Sequence, residues 1–270
     1  MLDVFVDSLI DSLKIFGFAF ITYCVVSFLV VPLCKSLTNR KISTLIGAVS
    51  GICPECAIPI ISSNLFTKKL ITYGSLIAVM LASSDEAVII LLANKMWTTV
   101  GYLILFKLSI AIIMGYLIDL IFRHQQLNDI NMYENASNES FVHQHILHPL
   151  VDSLKIFIYA FIIIFIFGTI TYFIGEENIV NFLTSNRSLQ VLAATVVGLI
   201  PNCSGSIILT TLYIENGLNF SALLAGLLVN SGLGLLFLFR NGKIKEGITT
   251  TIVLTVIALL FGYIMFFMGY

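Results

Sequence analysis

Residues 51–56 read Gly-Ile-Cys-Pro-Glu-Cys, and residues 198–203 read Gly-Leu-Ile-Pro-Asn-Cys. Each string lies midway through an apolar run, the first spanning 44–66 and the second 188–214. A proline inside a helix removes one backbone hydrogen bond and clashes with the preceding turn. Glycines precede both prolines (Gly51, Gly198), and Pro59 and Gly205 follow them. The simplest reading of each run is two half-helices with an unwound middle. One such break is an ordinary kink. Two with the same G-x-x-P-x-C pattern, carrying Glu55 in one and Asn202 in the other, point to a shared purpose.

The surrounding sequence fixes the medium. Of the 270 residues, 58% are hydrophobic and 11% charged, and the formal net charge is -1. A soluble domain is about 25% charged, so a soluble enzyme and a disordered chain are excluded. With no basic excess to hold phosphates, so is a nucleic-acid binder. The mean hydropathy is +1.01. Eight apolar segments, at roughly 13–33, 44–66, 70–93, 98–122, 154–174, 188–214, 218–239 and 248–268, are each long enough to cross a bilayer. They are continuous, unlike the alternating ~10-residue strands of a membrane β-barrel. The expected fold is an all-α polytopic membrane protein. The first apolar run follows an acidic start (Asp3, Asp7, Asp11), so no cleavable signal is expected. Five cysteines lie in or beside apolar runs and do not form a secreted disulfide framework.

A polar stretch from Arg123 to His148 separates two halves: a first repeat at 1–122, a polar loop at 123–150 and a second repeat at 151–270. The string Asp11-Ser12-Leu13-Lys14-Ile15-Phe16 recurs letter for letter as Asp152-Ser153-Leu154-Lys155-Ile156-Phe157. After the breaks the halves align without a gap, Leu65-Phe66 on Leu212-Tyr213 and Ser84 on Ser231. Duplicated halves are a usual construction of secondary transporters. If the second and sixth segments are re-entrant hairpins, each half crosses three times and the second half is inverted. Lys35, Arg40, Lys41, Lys68, Lys69, Arg123, Lys155, Arg240, Lys243 and Lys245 then share the inner side, against Lys14, Lys95 and Arg187 outside. Short cytoplasmic loops collect Lys and Arg, and full crossings distribute them more evenly. Inverted halves are therefore expected, with the polar loop cytoplasmic.

Unwound backbone at membrane depth is tolerated where it lines a cavity, and its free carbonyls can bind ions. The candidate binding residues are Pro54, Glu55, Cys56, Pro201, Asn202 and Cys203 in the first pair of breaks. A second pair adds Asp85 and Glu86, deep in 70–93, and Asn230 and Ser231 in the matching stretch. A carboxylate at the bilayer centre costs at least ~2.5 kcal/mol and calls for a cation, a proton or a lined cavity. Candidate metal ligands are Cys53, Cys56, Glu55, Asp85, Glu86 and Asn202. Lys107, inside a span, either pairs with Asp85 or Glu86 or snorkels to the interface. These three residues are the candidate proton carriers. Asp119 and Arg123 are spaced for a structural i, i+4 pair. His143, His145 and His148, with His124, read as a solvated loop before they read as a metal site.

At these residues the chain resembles the bacterial ten-transmembrane heavy-metal exporters, a family also labelled arsenic efflux proteins or manganese transporters. The strings that carry the resemblance are GICPECAIPIISSNLF, LIAVMLASSDEAVIILL, GLIPNCSGSIILTTLY and FSALLAGLLVNSGLGLLFLFR. It covers nearly the whole chain outside the polar loop. The departures are Cys53 and Glu55, where the family carries an apolar residue and an amide. The resemblance implies efflux of a metal or metalloid, and ten spans agrees with the segment count if each hairpin is counted as two.

The expected function is secondary active export across a bacterial cytoplasmic membrane, without a resident cofactor. No G-x-x-x-x-G-K-[ST] string supports ATP hydrolysis. The expected partners are the transported ion and the lipid bilayer, with a homo-oligomer left open. Oxygen ligands recur in both halves and exchange cargo readily, which favours a manganese-like divalent cation. The three thiols Cys53, Cys56 and Cys203 make arsenite the alternative. The rival class is a membrane thiol oxidoreductase using Cys53-x-x-Cys56, which leaves the second half's break unexplained. A channel-like membrane protein is the third class.

Overall fold

The computed structural model describes residues 42–52, 57–83, 85–122, 187–200, 203–241 and 244–269, with isolated helical positions before residue 21 and between 150 and 169. Among the described residues the regular structure is helical, with no strand. Among the described residues, five helices come from each half: α1 (Ser43–Gly51), α2 (Ala57–Thr67), α3 (Tyr73–Ala82), α4 (Asp85–Ala93) and α5 (Trp97–Ile121), then α6 (Arg187–Gly198), α7 (Cys203–Ile214), α8 (Phe220–Val229), α9 (Leu233–Asn241) and α10 (Ile244–Phe267).

Helices stop where the sequence predicts breaks. α1 ends on Gly51 and α6 on Gly198, and Pro59 falls in the first turn of α2, where a missing N–H costs nothing. α3 ends at Ser83, whose backbone turns out of the helix (φ -51, ψ 127) while its N–H still donates to Val79 O. α8 ends in the same way at Asn230 (φ -75, ψ 95), bonded to Gly226 O. Serine, asparagine and aspartate compete with the helix for backbone groups and so favour such ends.

Local geometry repeats at the Pro54–Pro201 spacing. Lys69 and Asn216, at the ends of α2 and α7, both have positive φ (58 and 59). The next N–H reaches back in each case, Leu70 to Leu65 O and Gly217 to Leu212 O, the six-to-one closure of a helix C-terminus. Phe66 packs on Tyr73 at 5.5 Å between ring centroids and Tyr213 on Phe220 at 6.3 Å. Of the buried residues of α5, Val100, Leu103, Lys107, Ile110, Ala111, Gly115 and Ile118 are matched position for position by Gly247, Thr250, Leu254, Ile257, Ala258, Gly262 and Met265 of α10, Thr99 alone having no buried counterpart.

Among the described residues, four helical stretches are long and apolar enough to cross a membrane: Tyr73–Ala93 and Phe220–Phe239, each interrupted, and the continuous Trp97–Ile121 and Ile244–Phe267. The interrupted pair forms the interior, 73% and 88% buried against 28% and 33% for the continuous pair. The continuous helices turn apolar stripes outward, as Ile248, Ile252, Val256, Leu260 and Ile264 do on α10, the face a lipid-exposed helix presents.

Small residues bring the inner helices into close contact. A Cβ at Gly198 would stand 2.1 Å from Gly226 O, and one at Gly74 would stand 2.1 Å from Gly115 O. Such contacts are how helices associate where water supplies no hydrophobic drive. α1 lies along α3 in the same direction, since Thr44 reaches Ser75 and Gly51 approaches Val79 and Ala82. α2 therefore returns toward the start of α3, to which it is joined by the short turn at 68–72. The halves also interlock crosswise: α2 packs on α9, and α7 on α4.

Candidate functional site

The ends of α1, α3 and α8 and the starts of α2 and α9 converge in the interior. Gly51, last in α1, lies against Val79 and Ala82 near the end of α3, and Pro59 at the start of α2 lies against Gly234 at the start of α9. Ser63 fixes the second contact by donating to Gly234 O at 2.7 Å. Lys107 ties the group together. Its side chain is 0% exposed, and its ammonium donates to Ser83 O at the end of α3 and, at 2.7 Å, to Leu227 O in the last turn of α8. The C-terminal carbonyls of a helix carry partial negative charge and lack intrahelical partners. One cation thus satisfies carbonyls from both halves. Of the two readings of Lys107, snorkelling is excluded because no end of this side chain reaches solvent, while the side chains of Asp85 and Glu86 lie outside what the structure describes.

Asn230 and Ser231 form the break between α8 and α9, and each is 2% exposed. Asn230 Oδ1 accepts from Gly232 N–H at 3.1 Å, which fixes the amide orientation and leaves Nδ2 as the outward group. Neither Asn230 Nδ2 nor Ser231 Oγ has a hydrogen-bond partner among the described residues. A buried polar atom without a partner costs about 1–3 kcal/mol, so two in one helix break call for an explanation.

Of the other sequence candidates, Asp85 and Glu86 open α4 and Cys203 opens α7. Asp85 and Glu86 therefore stand just past the carbonyls that Lys107 engages. Cys53, Pro54, Glu55, Cys56, Pro201 and Asn202 lie outside the described residues, as do Arg123 and the loop histidines.

Asp119, whose expected partner Arg123 lies outside the described residues, has other work as well. Its carboxylate accepts from Thr44 Oγ1 at 2.6 Å, Thr72 Oγ1 at 3.0 Å and Gly74 N–H at 3.0 Å. Ser43 and Thr72 each share a hydrogen bond with Ser75 at 2.7 Å. The carboxylate thus caps the N-terminus of α3, where negative charge is favoured. The hydroxyls at 43, 44, 72 and 75 gave no sign of this in sequence, since none recurs as a hydroxyl in the second half. That half closes the corner through Gln190, which bonds Gly217 O and Asn219 N–H.

A family described as "putative, 10TM heavy-metal exporter" matches residues 2–170 and again 144–269. The chain belongs to that family. The two matches cover both halves, in line with the repeated turns and buried faces above. Membership makes this a multi-pass membrane protein of an exporter family, not of an enzyme family. No curated protein and no solved structure matches the chain.

Proposed function

We propose that this exporter is a secondary active transporter that moves a heavy-metal or metalloid ion outward. Its cargo sits where the broken segments meet, and its two halves are inverted, each with three spans and one re-entrant hairpin. The observation that carries the cargo site is the buried Asn230 Nδ2, which has no hydrogen-bond partner among the described residues. Asp85 and Glu86, which open α4, would supply the negative charge a cation requires.

Inversion is supported by packing sense. Phe16 meets Phe157 at 6.1 Å, its own counterpart in the repeated hexapeptide, while Phe5 meets Phe161 at 5.5 Å and Phe165 at 6.0 Å. One number falls as the other rises, so the first segments of the halves run antiparallel. The parallel course of α1 and α3, with α2 returning, favours the hairpin.

The favoured cargo is a manganese-like divalent cation that keeps part of its hydration shell. Oxygen ligands suit such an ion, whereas Asn230 Nδ2 is a donor and suits an oxygen-bearing cargo. That same donor favours a second reading, arsenite, whose oxygens it would also bind. Uptake into inside-out vesicles of manganese, other divalent ions and arsenite, with and without a pH gradient, tests both. Replacing Cys53, Cys56 and Cys203 with serine separates them, because manganese flux persists in that variant if the oxygen site carries it. Flux of no metal or metalloid in vesicles containing folded protein overturns the exporter reading.

A further inference from the structure

Lys107 has no twin. Its ammonium joins Ser83 O, where α3 ends, to Leu227 O, near the end of α8. At the Pro54–Pro201 spacing, Ser83 corresponds to Asn230, Leu227 to Met80, and Lys107 to Leu254. The crossing of α5 over α8 that holds the lysine is matched by a crossing of α10 over α3, and Leu254 is buried there. By this pseudo-symmetry a second junction follows, with Met80 O and Asn230 O about Leu254 as Leu227 O and Ser83 O lie about Lys107. The negative ends of α3 and α8 are no weaker on that side. In the same break, Ser231 Oγ is buried and has no hydrogen-bond partner among the described residues.

We propose that this second junction is a monovalent-cation site, where Met80 O, Asn230 O and Ser231 Oγ hold a sodium- or potassium-class ion as the exchangeable counterpart of the Lys107 ammonium. Carbonyls at interrupted membrane helices and a serine hydroxyl are hard neutral oxygens of the kind that coordinate such ions. The charge follows from the ligands. None of the three is a carboxylate, and the tethered cation they mirror carries one charge. The cargo is left to Asn230 Nδ2, Asp85 and Glu86. The inference rests on the reading of the chain as a secondary transporter, to which it adds the class of ion whose gradient drives export.

The test needs no cargo. Full-length protein in detergent is melted in sodium, potassium or choline chloride at constant ionic strength. Sodium or potassium should raise Tm saturably over choline, and the two salts identify which ion binds. The shift should persist in Leu254→Met and vanish in Leu254→Lys, whose ammonium fills the junction. Ser231→Ala should weaken the apparent cation affinity about tenfold, the order expected for one lost contact to a charge. Equal Tm in all three salts, or a cation-specific shift that survives in folded Leu254→Lys, overturns the proposal. Should Leu254→Lys fail to fold, the Ser231→Ala titration decides, and an unchanged affinity is the negative result. Cation-dependent melting in protein that moves no metal in vesicles would instead count against the exporter reading alone.

Discussion

At the residue scale, the proposed site rests on polar groups without partners among the described residues. Asn230 offers a test that changes almost no shape. In Asn230→Asp the Oδ1 bond to Gly232 N–H can persist, while the outward donor is lost and a negative charge appears. If the cargo arrives with its own oxygens, efflux falls about tenfold, the worth of one hydrogen bond to a charged partner. If a bare cation binds there, the added carboxylate tightens binding, and a transport KM in vesicles separates the two. Lys107 should matter for stability as much as for flux. Lys107→Met keeps the length of the side chain but leaves two buried carbonyls without their shared donor. A loss on the order of 3 kcal/mol is expected, read as a lower Tm and partly recovered in Lys107→Arg. A Tm equal to that of the parent would mean the carbonyls find other donors.

At the element scale, the fold depends on how closely short helices approach. α1 and α6 have 9 and 12 residues, too short to cross a bilayer at ~1.5 Å per residue, and each rests on an inner helix through glycine. Gly198→Ala would force its Cβ against Gly226 O, 2.1 Å away on the fixed geometry. Backbone cannot step aside as a side chain does, so a penalty of about 1–3 kcal/mol is expected. Gly101→Ala is the control, since no atom lies within 4 Å of its added Cβ, and it should melt like the parent. Equal melting of the two variants would show that α6 and α8 separate at little cost.

At the scale of the whole molecule, the prediction is sidedness. With hairpins and inverted halves, cysteines introduced at Lys68 and His143 label from the cytoplasmic side and one introduced at Glu176 labels from outside. The reverse pattern at Lys68 and Glu176 would remove the hairpins and leave full crossings. Export also requires the halves to move against each other, and Lys107 bonds across them. Any outward- or inward-opening motion that separates α5 from α8 must break the bond to Leu227 O. The crosswise pairs α2 with α9 and α7 with α4 mean that neither half can move without carrying part of the other's packing.

The apolar length of the segments, the repeated hexapeptide and the paired G-x-x-P-x-C strings were sufficient to reveal a helical membrane protein in two related halves. Lipid leaves the backbone few choices, and proline and glycine punctuate locally, so the helix ends at Gly51, Gly198, Ser83 and Asn230 were legible too. The partners of the charged groups were not. Lys107 was open to a carboxylate partner or to the interface, and its bonds to carbonyls of two helices could not be read, because Leu227 O is a backbone atom that every residue owns. Asp119 is spaced for Arg123, which lies outside the described residues, and nothing in the sequence showed that it also gathers two threonine hydroxyls and a helix N-terminus from segments far away in the chain. Composition and spacing act locally, through propensity and transfer to lipid. Which buried donor meets which acceptor depends on helix ends brought together across the interior, and only the packing of the two halves decides that.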